Sequence, residues 1–168
     1  MVLDFCFLGS LYTSLLALKH FRKCGEKSDK VLIITSSNAG LYPLPAAPLY
    51  AAAKHSSLGL ARSMGQRVQR ERIRVCALAP GLVPTGLASQ DFVDKTDKSL
   101  ITPVSQIVTT VNETLSSDKN TVVSEVSVDK IWYSEPPPFM DDAQRRVVTE
   151  LVTAVCADNA KEKSEKKK

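Results

Sequence analysis

Leu49-Tyr-Ala-Ala-Ala-Lys54 is the most informative segment of this sequence. Tyr50 and Lys54 are four positions apart, so on a helix they share one face and the ammonium lies beside the phenol. A free tyrosine has a pKa of about 10, and a nearby positive charge lowers that value. The pair alone is weak evidence. With four Tyr and fourteen Lys, chance gives it in roughly one such chain in three.

The residues on either side of the pair predict alternating strands and helices. Val31–Ser36 is an apolar, β-branched run typical of a buried strand, and Asn38-Ala-Gly40 ends it with turn-forming residues. Pro48 suits the first turn of a helix through Tyr50 and Lys54.

A second strand is predicted after this helix, at Ile73–Leu78, and Pro80-Gly81 closes it. Strand, serine, helix with Tyr-x-x-x-Lys, strand and Pro-Gly-x-Val-x-Thr, in that order, resemble the short-chain dehydrogenase/reductase family. The resemblance runs from near residue 1 to about residue 147 and looks closest to the hydroxyprostaglandin-dehydrogenase-like branch. It implies an α/β fold, the C-terminal part of a doubly wound, Rossmann-like parallel sheet.

The resemblance also implies site residues. Ser37 matches the serine that hydrogen-bonds the substrate oxygen, Tyr50 the catalytic acid/base, and Lys54 the residue that binds the nicotinamide ribose and lowers the tyrosine pKa. Ser37 is preferred to Ser36 because the family keeps a gap near thirteen to its tyrosine. The segment that holds the nicotinamide carboxamide is matched by Pro80, Gly81, Val83 and Thr85. The implied cofactor is NAD or NADP.

The glycine-rich turn that holds the cofactor pyrophosphate in such folds does not occur in this sequence, since its seven glycines are scattered. The resemblance implies a chain that begins at the family's fifth helix. On this interpretation it lacks the first four strands, through an N-terminal truncation of biological origin or an error in the coding sequence. The residue that distinguishes NAD from NADP would follow the second strand. Val31–Ser36 then becomes an exposed, apolar edge strand that invites pairing with other chains.

Cys6 aligns with the family asparagine that completes a proton relay through water to the lysine. Cysteine is a weak donor and a weak acceptor. The relay is therefore in question, unless the alignment slips by a residue.

Composition is that of a globular domain, with 43% apolar and 24% charged residues. The basic end, 161–168, supplies +3 of the +4 net charge, and we interpret it as a solvated tail rather than a nucleic-acid contact. The expected organisation is a partial dehydrogenase domain at 1–158 and a disordered basic tail at 159–168. The four cysteines, Cys6, Cys24, Cys76 and Cys156, show no metal spacing and suggest a reduced, cytoplasmic protein with no metal site.

Four further segments carry expectations. Met1–Leu18 is apolar but contains Asp4 and several polar residues, so we expect a buried helix rather than a signal peptide or membrane anchor. Thr102-Pro103 is expected to begin a helix, and Trp132 with Tyr133 to pack the chain end against the core. The segment from Thr85 to Leu100 matches the family's mobile substrate lid, although its composition alone predicts a loop.

The apolar face of the helix after Thr102-Pro103 is expected to comprise Val104, Ile107, Val108, Val111 and Leu115. A strand is predicted at 121–128. A last helix is predicted from Asp141-Asp142, with Val147, Val148, Leu151, Val152 and Val155 apolar.

The resulting hypothesis is an oxidoreductase that transfers hydride between NAD(P) and a secondary alcohol or its ketone. The substrate is expected to be apolar, lined by Leu41, Leu44, Leu82 and Leu87, although leucines in loops are as often packing residues. Two alternatives stay open. The first is an inactive remnant that self-associates or pairs with a full-length relative through helices 5–22 and 48–68. The second is a protein that acts through its basic tail.

Overall fold

The computed structural model describes residues 1–25, 29–150 and 154. The chain forms two compact units, Met1–Glu135 and Pro136–Lys168. The predicted boundary at 158/159 stays a prediction, because the tail at 159–168 lies outside the described residues.

The first unit contains one sheet in the order β1-β2-β3-β4, with two parallel pairings followed by an antiparallel one. The strands are β1 Lys30–Thr35, β2 Ile73–Pro80, β3 Val123–Val126 and β4 Ile131–Ser134. The α-helices are α1 Gly9–Lys23, α2 Pro48–Val68, α3 Gln90–Lys95 and α4 Val104–Ser116. Helices alternate with parallel strands, which confirms the predicted α/β fold.

The core lies between α2 and the sheet. Helix α2 turns small side chains inward, and Ala53 and Ala61 are fully buried, so the helix approaches the strands closely. At Gly65 an added Cβ would lie 2.8 Å from Thr121 and 2.9 Å from Asn120. The side chain of Asn120 accepts from the backbone of Val75 and donates to Gly65. Helix, loop and strand are thereby held together at the residue where contact is tightest.

Strand β4 was not expected from the sequence. Trp132 does not pack the chain end against the core as expected, because it is 71% exposed. Tyr133 faces the other way, as alternation along a strand requires. Its hydroxyl donates to Glu113, and the ammonium of Lys119 lies 3.2 Å from its ring centroid.

Helix α1 follows a π-helical turn at Asp4–Leu8 and ends before Gly25, whose φ of 73° suits a helix terminus. A helix was predicted here correctly, but its burial was not. Ser14 and Leu18 are buried, whereas Phe5 and Leu16 are 76% and 66% exposed. One face of α1 therefore presents apolar side chains to solvent in the described part of the chain.

Helix α4 begins one residue later than expected, with Pro103 as its N-cap. Thr110 and Thr114 are the buried residues of this helix. Each donates its hydroxyl to a carbonyl four residues earlier, which satisfies the buried oxygen. The expected apolar face is largely open, since Val108 is 53% and Leu115 50% exposed.

The second unit contains a helical segment at 142–150. The side chain of Asp141 accepts from the backbone of Gln144 and caps its start, as predicted. Val147 and Val148 are exposed. Three predicted apolar positions of this helix lie outside the described residues: Leu151, Val152 and Val155.

Candidate active site

The predicted site residues follow the carboxyl ends of two neighbouring parallel strands. Thr35 in β1 is paired with Leu78 in β2, so Ser37 and Pro80 follow at the same edge of the sheet. Helix α2 returns to this edge, because the Nζ atom of Lys54 donates to the backbone oxygen of Thr35 at 3.2 Å. The fold therefore brings the serine, the Tyr-x-x-x-Lys helix and the Pro-Gly segment to one edge of the sheet.

The two adjacent serines have different environments. Ser36 is buried, and its hydroxyl donates to the backbone oxygen of Lys54 at 2.8 Å. Ser37 caps a 3₁₀ turn, since its Oγ atom accepts from the backbone of Ala39 at 3.2 Å. The Ser37 hydroxyl hydrogen is directed to Asn38 Oδ1 at 3.1 Å, and Asn38 is exposed. Ser36 thus joins strand to helix, whereas Ser37, which is also buried, makes its side-chain hydrogen bonds to the two residues that follow it.

Tyr50 and Lys54 lie on one face of α2, as their spacing predicts. The Lys54 ammonium is 5.6 Å from the ring centroid of Tyr50, and both side chains are half-buried. Burial lowers the pKa of Lys54 below its usual 10.5, because desolvation disfavours the charged amine. A positive charge is thereby held next to a tyrosine at the sheet edge.

The segment after β2 is anchored at several points. The backbone N–H of Gly81 donates to Val126, and a Cβ at this glycine would lie 2.9 Å from Thr102 Oγ1. The backbone of Thr102 donates to Leu82, while the N–H of Thr85 turns back to Val83. Only a glycine fits beside Thr102 without displacement.

A family model for the short chain dehydrogenase matches residues 1–96, more than half of the chain. The chain belongs to the short-chain dehydrogenase family. Among its relatives, the short-chain dehydrogenase/reductase prx6 of Penicillium rubens is 29% identical over 156 residues, covering 88% of this chain and 51% of that protein. Prx7 of the same fungus is 40% identical over 80 residues, covering 47% of this chain and 28% of that one.

Solved structures show the same fold. A 4-hydroxyisoleucine dehydrogenase complexed with NADH is 22% identical with a TM-score of 0.64, covering 74% of this chain and 55% of that one. The acetoin dehydrogenase YohF from Salmonella typhimurium is 24% identical with a TM-score of 0.62, covering 79% and 58%. The chain therefore spans about half the length, or less, of the curated relatives described above.

Cys6 of this short-chain dehydrogenase chain lies beside α2, the helix that carries Tyr50 and Lys54. It occupies the middle of the π-helical turn at Asp4–Leu8, and its backbone oxygen accepts from Ser57 of α2 at 3.4 Å. Burial is the larger influence on the pKa of Lys54 and lowers it, and the electrostatic influence of the Cys6 side chain acts in the opposite direction. The structure thus places Cys6 near Lys54, and the relay stays in question because cysteine is a weak donor and a weak acceptor.

The segment from Gly86 to Leu100 forms an excursion whose ends are held together, because Leu82 and Ile101 pair in a parallel bridge. It contains helix α3, where the sequence composition predicted only a loop. Leu87 and Phe92 are 80% and 56% exposed on this excursion. The segment that the family resemblance assigns to the lid therefore contains a short helix and has apolar side chains open to solvent.

Two of the expected pocket leucines differ in their surroundings. Leu41 packs against the hydrophobic core, so it is a packing residue. Leu44 is 37% exposed on the loop between Ser37 and Tyr50.

One hydrogen bond near the site was not predicted from the sequence. The hydroxyl of Tyr42 donates to Glu125 Oε2 at 3.0 Å across 83 residues of sequence. No local sequence pattern predicts this hydrogen bond, because it depends on where β3 lies in the sheet.

Cys6, Cys24 and Cys76 are free thiols, and no group of three His, Cys, Asp or Glu side chains suited to a metal occurs within 1–25, 29–150 and 154. Cys156 lies outside this part of the chain. No helix among the same residues is long and apolar enough to cross a membrane.

Proposed function

We propose that this chain carries the acid–base and nicotinamide-side half of an NAD(P)-dependent oxidoreductase that interconverts a secondary alcohol and its ketone. The observation that carries the proposal is the position of Lys54. Its Nζ atom is fixed at the end of β1, 5.6 Å from the Tyr50 ring centroid, at the same edge as Ser37 and the Pro80–Thr85 segment.

The proton chemistry follows from the side chains. In the direction of reduction, the Tyr50 hydroxyl donates its proton to the carbonyl oxygen of the substrate, and in the reverse direction the phenolate accepts the hydroxyl proton. Lys54 stabilises the phenolate through its charge. Ser37 donates to the same substrate oxygen, while the N–H of Ala39 holds its Oγ atom in place.

The residues present fit the nicotinamide end of the cofactor. When bound, the cofactor supplies or accepts the hydride. The backbone of Pro80, Gly81, Val83 and Thr85 would hold the carboxamide, and Lys54 the ribose. The close contact between Gly81 and Thr102 keeps this segment against the sheet. No glycine-rich turn for the pyrophosphate occurs in the sequence, so we expect the isolated chain to show no measurable NAD or NADP affinity by calorimetry at millimolar cofactor.

The substrate is proposed to be apolar. Leu44, Leu82 and Leu87 lie on the two segments that leave β1 and β2 at the site edge, and Leu44 and Leu87 are exposed. Affiliation with the hydroxyprostaglandin-dehydrogenase-like branch, a cytoplasmic location and the choice between NAD and NADP stay predictions.

The experiment is a chimera. The N-terminal portion of acetoin dehydrogenase YohF that lies outside the match is joined to residue 1 of this chain. NAD(P)H formation is then measured with a panel of secondary alcohols that differ in apolar chain length. We expect turnover that rises with chain length. The YohF portion alone is the control and should be inactive. A folded chimera that binds cofactor but oxidises no alcohol in the panel would refute the proposal.

A further inference from the structure

A single side-chain hydrogen bond joins the loop between Ser37 and Tyr50 to a distant strand. Tyr42 lies on this loop, and its hydroxyl donates to Glu125 Oε2 at 3.0 Å. Glu125 is in β3, paired with Ala79 of the parallel neighbour β2. The bond therefore joins the loop that follows Ser37 to β3, which is separated from β1 by β2.

Apart from the packing of Leu41 against the hydrophobic core, the loop at 41–47 has few hydrogen bonds to the rest of the fold. Its backbone bonds are local, from Leu41 and Tyr42 to Asn38 and from Ala47 to Leu44. The prolines at positions 43, 45 and 48 have no N–H to donate. A side-chain bond to the sheet consequently supplies an anchor that this backbone lacks.

The environment of the pair suits a persistent bond. Glu125 is half-buried and Tyr42 is 52% exposed. A hydrogen bond from a phenol to a carboxylate is stronger than one between neutral groups. A tyrosine hydroxyl is protonated throughout the neutral range, and the bond to Glu125 raises the pKa of Tyr42 further above its usual 10.0, so Tyr42 remains a donor.

We infer that the Tyr42–Glu125 hydrogen bond is a latch that fixes loop 41–47 as one wall of the substrate site, and so sets substrate affinity rather than the rate of the chemical step. This inference rests on the proposed function. Tyr42 and Glu125 are positioning residues, since they act through the loop that carries Leu44. Ser37 and Tyr50 are held separately, by the 3₁₀ turn and by α2.

Three variants test the latch in the full 168-residue chain. Tyr42→Phe removes the donor and Glu125→Leu removes the acceptor, whereas Glu125→Gln keeps an acceptor oxygen. Amide hydrogen exchange is measured at Leu41, Tyr42 and Ala47, whose backbone N–H groups are hydrogen-bonded within the loop region. We expect exchange about two- to tenfold faster in the first two variants, the range for one hydrogen bond, and near-unchanged exchange in Glu125→Gln. Equal exchange in all four proteins would overturn the latch.

The kinetic arm uses the same variants in the YohF chimera. Tyr42→Phe and Glu125→Leu should raise KM about two- to tenfold with kcat within twofold, and Glu125→Gln should restore KM. A fall in kcat with unchanged KM would contradict the positioning role. If a folded chimera that binds cofactor has no turnover, the proposed function fails, and the hydrogen-exchange result still decides whether the latch exists.

Discussion

The Nζ atom of Lys54 donates to the backbone oxygen of Thr35 at 3.2 Å, so this lysine of α2 is fixed at the end of strand β1. Ser36, the next residue along, donates its hydroxyl to the backbone oxygen of Lys54. Strand end and helix are thus joined in both directions at the lysine. This reciprocal contact positions the charge that the proposed acid–base chemistry needs.

Relative to wild type, Lys54→Met should be most stable at neutral pH, where the buried ammonium is charged. Burial lowers the pKa of Lys54 in the folded state, so the unfolded chain binds the extra proton more readily. Wild-type stability therefore rises as pH increases from the folded pKa towards 10.5. The Met variant lacks this dependence, and its advantage should shrink across that window. Thermal unfolding between pH 7 and 10.5 measures the effect.

The control for this prediction is Lys95→Met, because Lys95 is 75% exposed. It should show no such advantage at any pH. An advantage of Lys54→Met that grows with pH would contradict the assignment of burial as the cause.

Ser36→Ala and Ser37→Ala should separate a structural serine from a catalytic one. Ser36→Ala removes the bond to Lys54 and should cost about 1 kcal/mol of stability with kcat changed by less than a few-fold. Ser37→Ala should lower kcat of the YohF chimera by about 10²-fold, the scale for one lost oxyanion donor. Thermal unfolding and steady-state kinetics give the two readouts. Greater loss of kcat in Ser36→Ala would reverse the assignment.

Gly40→Ala should destabilise the chain, because the contact between the end of β1 and α2 leaves no space for a side chain at Gly40. An added Cβ would lie 2.6 Å from Ser36 Oγ and 2.8 Å from the backbone oxygen of Lys54. We expect a loss of about 1–3 kcal/mol. Gly59→Ala is the matched control, since no atom lies within 4 Å of its added Cβ in α2. It should stabilise by about 0.5–1 kcal/mol. Equal effects of the two changes, by denaturant unfolding, would argue against this packing.

The sequence predicted most of the fold because its strong signals are local. The alternation of apolar strands with helices located β1, β2 and α2, and the i, i+4 spacing placed Tyr50 and Lys54 on one face. Burial along α4 was predicted wrongly, because Thr110 and Thr114 can be buried by bonding to their own helix. Strand β4 and the Tyr42–Glu125 bond depend on pairing between distant segments, which no local pattern encodes.

The outer edge of β1 should make the purified chain self-associate. Among the described residues, β1 pairs with β2 alone, and Leu32, Ile33 and their neighbours line a cleft of about 320 Å³ beside α1. An unpaired apolar edge favours strand pairing between chains. Analytical ultracentrifugation of the chain should therefore show oligomers.

Ile33→Lys should reduce this association, because a charged side chain on an edge strand opposes pairing. Val108→Lys, which adds the same charge on α4, should leave it unchanged. A monodisperse wild-type monomer, or an equal effect of both substitutions, would exclude the edge as the cause.

The proposed function depends most directly on Tyr50 as the acid and base of a hydride-transfer site. Tyr50→Phe in the YohF chimera removes only the phenolic hydroxyl, so fold and cofactor binding should be retained. The control is Tyr133→Phe. Tyr133 lies on β4, away from the site, and the substitution removes its hydrogen bond to Glu113 of α4. The measurement is kcat for the best alcohol of the panel. We expect kcat to fall by about 10²- to 10⁴-fold in Tyr50→Phe and by less than twofold in Tyr133→Phe. Unchanged turnover in Tyr50→Phe would contradict the assignment of Tyr50 as the acid and base.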